Sequence, residues 1–105
     1  MNFEFIEIEK ELIPYRFEIE LGVELFEMEI NYNLVHDFFT MDLYKDEEVL
    51  VYGEKLTYGV PLFEEVFDSR FPGPTIIPFD ESGQEQRVTF ENLNVTVFLR
   101  LVNDL

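Results

Sequence analysis

The chain contains no cysteine. Disulfides, zinc–thiolate sites and thiol nucleophiles are therefore excluded, and the fold must stand on packing alone. Only one histidine is present, His36, which rules out a metal cluster or catalytic triad built on imidazoles. Lys and Arg together number only seven against 23 Asp and Glu, giving a formal net charge of −16. Such a surface repels phosphate backbones and anionic headgroups, so nucleic acid and membrane are not expected partners. No apolar run approaches the roughly 18 residues of a membrane-spanning helix. Met1-Asn2-Phe3-Glu4-Phe5 lacks the basic start of a signal peptide, so synthesis and folding in the cytoplasm are expected. Gly-rich phosphate loops, a Gly-x-Ser-x-Gly elbow and the ligand spacing of an EF-hand are all missing. No cofactor is expected.

Apolar side chains are plentiful: hydrophobic residues make up 47% of the 105, aromatics 16%, and Phe alone occurs 12 times. That is too apolar for a disordered acidic tail. The length fits one domain spanning 1–105, and large rings can fill a thin core between sheets with few residues.

Alternation with period two runs through much of the chain. Phe3 and Phe5 alternate with Glu4. Ile6 and Ile8 follow on the opposite register, which points to a bulge or to a strand apolar on both faces. The clearest pattern is Tyr15, Phe17, Ile19 and Leu21 interleaved with Arg16, Glu18 and Glu20. Gly22 permits a tight turn, and Phe26, Met28, Ile30 and Tyr32 then alternate with Glu27, Glu29 and Asn31. Together these runs predict a hairpin of half-buried antiparallel strands.

A connection over Asn33 to Asp37 leads to a strand with Phe39, Met41 and Leu43 on one face. The polar turn Lys45-Asp46-Glu47-Glu48 and a strand Val49–Tyr52, ending at Gly53, complete a second hairpin. After Pro61, the spacing of Leu62, Phe63, Val66 and Phe67 predicts one short amphipathic helix, ended by Asp68-Ser69. Thr75–Phe79 is extended, and Pro78, which lacks a donor, assigns it to a sheet edge. Asp80 to Arg87 is polar and reads as a mobile loop, and Thr89 to Asn94 as a short turn or a one-turn helix. Val95, Val97, Leu99 and Leu101 share one face of a final strand, while Phe98 on the other implies partial cover there. The sum is a mainly β fold: a small antiparallel barrel or sandwich of six to seven strands with one short helix.

Candidate chemistry is sparse. His36 beside Asp37 has the residue types of a general base oriented by a carboxylate, but neighbours in extended chain point to opposite sides. The pairs Glu18/Glu20 and Glu27/Glu29 offer oxygen ligands for a divalent ion. Solvated outer strand faces explain them better. Neither amounts to a catalytic or metal site. A glycan hydrolase using two carboxylates would need a pocket for which so small a core leaves little room.

Several blocks resemble small phage tail proteins, including the cyanophage-type baseplate plug family. They are Tyr15-Arg16-Phe17-Glu18-Ile19-Glu20-Leu21-Gly22 and Phe26-Glu27-Met28-Glu29-Ile30-Asn31-Tyr32-Asn33. Next come Phe38-Phe39-Thr40-Met41-Asp42-Leu43-Tyr44 and Gly53-Glu54-Lys55-Leu56-Thr57-Tyr58-Gly59-Val60-Pro61-Leu62. Phe90-Glu91-Asn92-Leu93 and Leu99-Arg100-Leu101-Val102 complete the likeness, from about Pro14 to Val102. The resemblance implies a structural, non-enzymatic baseplate component that meets hub or tail-tube proteins, is assembled in the host cytoplasm and is carried in the virion tail or a prophage-derived particle. It carries no catalytic residue onto this chain.

Two segments are expected to protrude and serve docking: Phe67–Pro74, with Phe71 and Pro72, and Asp80–Arg87, with Asp80, Glu81, Gln84 and Arg87. Unpaired strand edges leave a homo-oligomer open. The alternative is an acidic binding module or inhibitor outside tail assembly, for which charge is the only support.

Overall fold

A computed structural model describes residues 4–64 and 70–102. Among the described residues, seven strands lie in two antiparallel sheets: β1 (Glu4–Ile6), β2 (Tyr15–Leu21), β3 (Glu24–Asn33), β4 (Phe38–Lys45), β5 (Glu48–Lys55), β6 (Thr75–Phe79) and β7 (Phe98–Val102). The larger sheet is a meander of order β2-β3-β4-β5, and the smaller has order β1-β7-β6. The sheets do not close on one another, so of the two expected architectures the structure is the sandwich, not the barrel.

Alternation dictates the packing. Side chains two apart share a face, and in register Ile19 meets Phe26, Met28 meets Leu43 and Tyr32 meets Phe39. Met28, Ile30, Phe39, Met41 and Leu43 are completely buried. Ile6, Ile76 and Leu99 from the smaller sheet join the same cluster. The opposite residues, Glu18, Glu20, Glu27, Glu29 and Asp42, fall on the outer face of the larger sheet.

Turn chemistry fixes the register. Gly22, at φ +68, and Val23 join β2 to β3 as a two-residue hairpin turn, so that Leu21 pairs with Glu24. Asp46 and Glu47 both take positive φ between β4 and β5, as a type I′ turn requires. The fifth strand does not end at Gly53 as expected but runs on to Lys55. Register shifts against β4 place extra residues on β5, and Gly53, at φ +69, donates its N–H to Asp42 Oδ1 at 2.8 Å. Such bulges twist an exposed edge away from further pairing.

The edge position of Thr75–Phe79 holds, since β6 pairs only with β7. The carbonyls of Ile76 and Pro78 accept N–H bonds from Leu62 and Gly59, so the 59–62 segment covers that edge. At the N-terminal end, Phe3 lies outside the described residues, and the strand is limited to Glu4–Ile6. Ile6 and Ile8 are both buried, and Ile8 N–H bonds Asn94 Oδ1 at 3.2 Å. Phe5, on the other face, packs edge-to-face on Phe98 at 4.7 Å, the partial cover that Phe98 implied.

Two further expectations fail. Leu62, Phe63 and Glu64 form a turn, not the start of a helix, and Phe63 has φ +60, which a helix does not tolerate. The remainder of that expected helix, 65–67, lies outside the described residues. Among the described residues the only helical element is a 3-10 turn at Lys10–Leu12. Val95 also does not begin the last strand: it is 63% exposed. Asn92 O gathers the N–H groups of Val95, Thr96 and Val97, each at 3.0 Å, which curls the chain until β7 starts at Phe98.

Replacing Phe39 with Ala should cost about 3–5 kcal/mol, because a buried ring leaves a cavity. Val23→Ala, at a turn position 93% exposed, should stay within about 0.5 kcal/mol. Urea unfolding of both variants checks this.

Candidate functional site

The Asp80–Arg87 loop leaves β6 directly after Phe79. Asp80 is buried, and its carboxylate is spent on the loop itself. Oδ1 accepts from Ser82 N at 2.9 Å and Ser82 Oγ at 2.7 Å, and Oδ2 accepts from Gln84 N at 3.1 Å and Glu85 N at 2.9 Å. Asp80 N–H donates to the Tyr58 hydroxyl at 3.1 Å. Gly83, at φ +75, donates its N–H to Asp80 O. The loop is thus organised around one internal acid. The Ser82 hydroxyl first, and then the backbone N–H groups, hold that carboxyl below the usual carboxylate range against the opposing effect of burial.

Glu81 is likewise engaged, in an ion pair with Arg100, whose guanidinium lies 5.8 Å from the Phe79 ring centre. Of the four docking candidates in this loop, Asp80 and Glu81 shape it, while Gln84 and Arg87 are exposed. Phe71 and Pro72 sit elsewhere. Phe71 packs edge-to-face on Phe63 at 5.3 Å, and both half-buried residues line a groove of about 310 Å³ with Leu62 and Pro74.

Asn92 fastens the 85–92 segment. Its side-chain oxygen accepts from Thr89 N at 2.8 Å, and its amide donates to Arg87 O at 2.9 Å and to Glu85 Oε1 at 3.1 Å. Asp37 ties this segment to the β3–β4 turn. Its Oδ1 accepts from Tyr32 Oη at 2.7 Å and from Phe90 N at 2.9 Å, under a ring cluster of Tyr32, Phe39 and Phe90. The Tyr32 hydroxyl foremost, then the Phe90 N–H, draws the Asp37 carboxyl below its ordinary value. The same bond to Asp37 foremost raises the Tyr32 phenol.

His36 is exposed, and Asp37 is committed to Tyr32 and Phe90, so the oriented acid–base pair that the sequence allowed is not assembled. Among the described residues, no three or more His, Asp or Glu side chains are grouped to hold a metal. On the outer face of the larger sheet, Arg16 pairs with Glu29 at 3.4 Å and lies 3.8 Å from the Tyr44 ring centre. A depression of about 590 Å³ is bordered by Glu4, Glu20, Gly22 and Pro74.

A family model described as cyanophage baseplate Pam3 plug gp18 matches residues 3–104. The chain belongs to this plug family. The baseplate plug family is a family of phage structural proteins, and the match runs through both sheets, the Asp80 loop and the Asn92 turn. A search of curated proteins found no match.

Sequence reasoning placed Arg87 at a surface but missed what surrounds it, because the residues that share its cleft, among them Asp37, Phe38, Lys55 and Thr57, stand far earlier in the chain. The capping role of Asp80 had a local signal, an Asp-x-Ser-Gly run able to turn back on its own side chain.

In the plug-family chain, Asn92→Ala should cost about 1–3 kcal/mol by leaving Thr89 N–H and Arg87 O without partners. Asp80 and Asp37 both have folded-state values below their unfolded ones. Their stabilisation is therefore fully present above the ordinary aspartate range and is lost as pH falls through the depressed values. Unfolding midpoints across acidic pH should show this loss. Asp80→Asn should start lower at neutral pH and fall less steeply.

Proposed function

We propose that this chain is a structural component of a phage or phage-derived tail baseplate that docks to hub or tail-tube proteins and performs no turnover. The observation that carries the reading is the plug-family match over residues 3–104. The architecture supports it. A two-sheet body with a closed, mainly aliphatic core carries loops tied down by the Asp80 and Asn92 hydrogen bonds, and loops held in place lose little entropy when they dock. Leu34 and Val35 at one hairpin tip and Val23 at another are 82%, 83% and 93% exposed, so apolar contacts are offered at opposite ends of β3.

Assembly takes place in the host cytoplasm, with the protein then carried in the virion tail. The exposed Gln84 and Arg87, and the Phe71–Pro72 groove, are the docking elements of this proposal. The outer carboxylates keep the unassembled chain soluble and orient its approach to basic neighbours.

Co-expression with the hub and tube-end proteins of the same phage tests the proposal. A defined complex on size exclusion is expected, and separate elution of every component would contradict it.

A further inference from the structure

In a chain with 23 acids and seven Lys and Arg residues, a cation with no carboxylate partner calls for a physical reason. Arg16, Lys45, Arg70 and Arg100 are paired with Glu29, Glu24, Glu48 and Glu81. Lys10 donates to the Phe90 carbonyl. The other two, Lys55 and Arg87, have no carboxylate oxygen within 4.0 Å among the described residues.

Both line one cleft of about 310 Å³, and so does the sole histidine, His36, together with Thr57 and Gln86. The topology brings them together: His36 lies in the β3–β4 turn, Lys55 ends β5, and Arg87 closes the Asp80 loop. One acid, Asp37, also lines the cleft and feels the charge of Arg87, but without a direct ion pair: its Oδ1 accepts from Tyr32 and Phe90. The other nearby acids are committed elsewhere, Glu54 Oε2 accepting Phe63 N–H at 2.9 Å and Glu85 Oε1 the Asn92 amide. Lys55 Nζ lies 4.7 Å from the Phe38 ring centre, which restrains the ammonium without neutralising it. The cleft therefore offers an ammonium and a guanidinium to an anion against a single lining carboxylate, Asp37, whose Oδ1 is already engaged by Tyr32 and Phe90, inside a molecule that is otherwise negative.

We infer that this cleft is the socket for a carboxylate carried by a protein partner. This rests on the reading of the chain as a docking component. Two features favour a protein carboxylate over a free anion. Leu34 and Val35 immediately precede His36 and protrude at 82% and 83% exposure, giving an aliphatic contact at the same end of the molecule. The net charge of −16 also repels small anions, whereas a partner that adds apolar contact can offset that repulsion. The occupant is an acidic side chain or terminal carboxylate flanked by apolar residues on a neighbouring baseplate protein.

The test has two arms. In the first, the full chain is titrated by NMR with a capped peptide of alternating Leu and Glu, and separately with inorganic phosphate. Peptide-induced shifts at His36, Lys55, Thr57 and Arg87 are expected. They should weaken ~10-fold in Lys55→Ala and Arg87→Ala, whose urea midpoints confirm that the exposed substitutions leave the fold intact. Binding of phosphate but not peptide, or of neither, overturns the inference. In the second arm, the variants enter the co-expression experiment. Loss of the complex by either variant supports the socket, whereas a complex indifferent to both overturns it and leaves the docking reading standing. If even the native chain forms no complex, the docking reading fails and the titration alone decides the cleft.

Discussion

Complete burial of one face of β3 and β4 is the constraint on which the structure depends. Met28, Ile30, Phe39, Met41 and Leu43 lose all contact with water, and a strand with one face buried sends every alternate residue to the other. The outward positions hold Glu27, Glu29, Asn31, Thr40, Asp42 and Tyr44. Core and charge are thus two consequences of one pleat. A slip of one residue would put glutamates between the sheets and phenylalanines in water, so the register is tightly specified. The hairpin turns at Gly22-Val23 and Asp46-Glu47 agree with it.

The carboxylates divide by what they touch. Asp80, Asp37 and Asp42 accept backbone N–H groups and hold loops, a hairpin end and a bulge in place. Short Asp side chains suit this role because they reach their own or adjacent backbone without a flexible stem. Glutamates dominate the outer strand faces, where Glu18 and Glu20 on β2 stand beside Glu27 and Glu29 on β3. An acidic protein of this kind uses aspartate as internal mortar and glutamate as exterior, and its overall charge says little about any one carboxylate.

Strands with strict alternation were legible from sequence because the period-two signal is carried by every residue, as in Tyr15–Leu21. What escaped was decided by contacts distant in the chain. Asn92 gathers three N–H groups and so removes Val95 from a strand that its valine pattern favoured. Gly53 reads as a strand end, yet Asp42 takes up its N–H and lets β5 continue through a bulge. Asp80 looked like a protruding contact residue, and its neighbours' backbone turned it inward. The grouping of His36, Lys55 and Arg87 has no local signature, since it exists only once the meander and the Asp80 loop are folded together. The family resemblance was legible for a different reason: most of its short blocks sit on the strands themselves, within the span of the plug-family match.

The claim that joins these observations is that a rigid two-sheet body meets its neighbours through loop ends while its core stays unchanged. Amide hydrogen exchange of the free chain, compared with the chain inside an assembled baseplate, tests this most directly. The account predicts slow exchange across the β3–β4 pairing in both states, with new protection on assembly around Leu34–Asp37 and Gln84–Arg87. Identical exchange at those loops in the two states, or loosening of β3 and β4 on assembly, would contradict it.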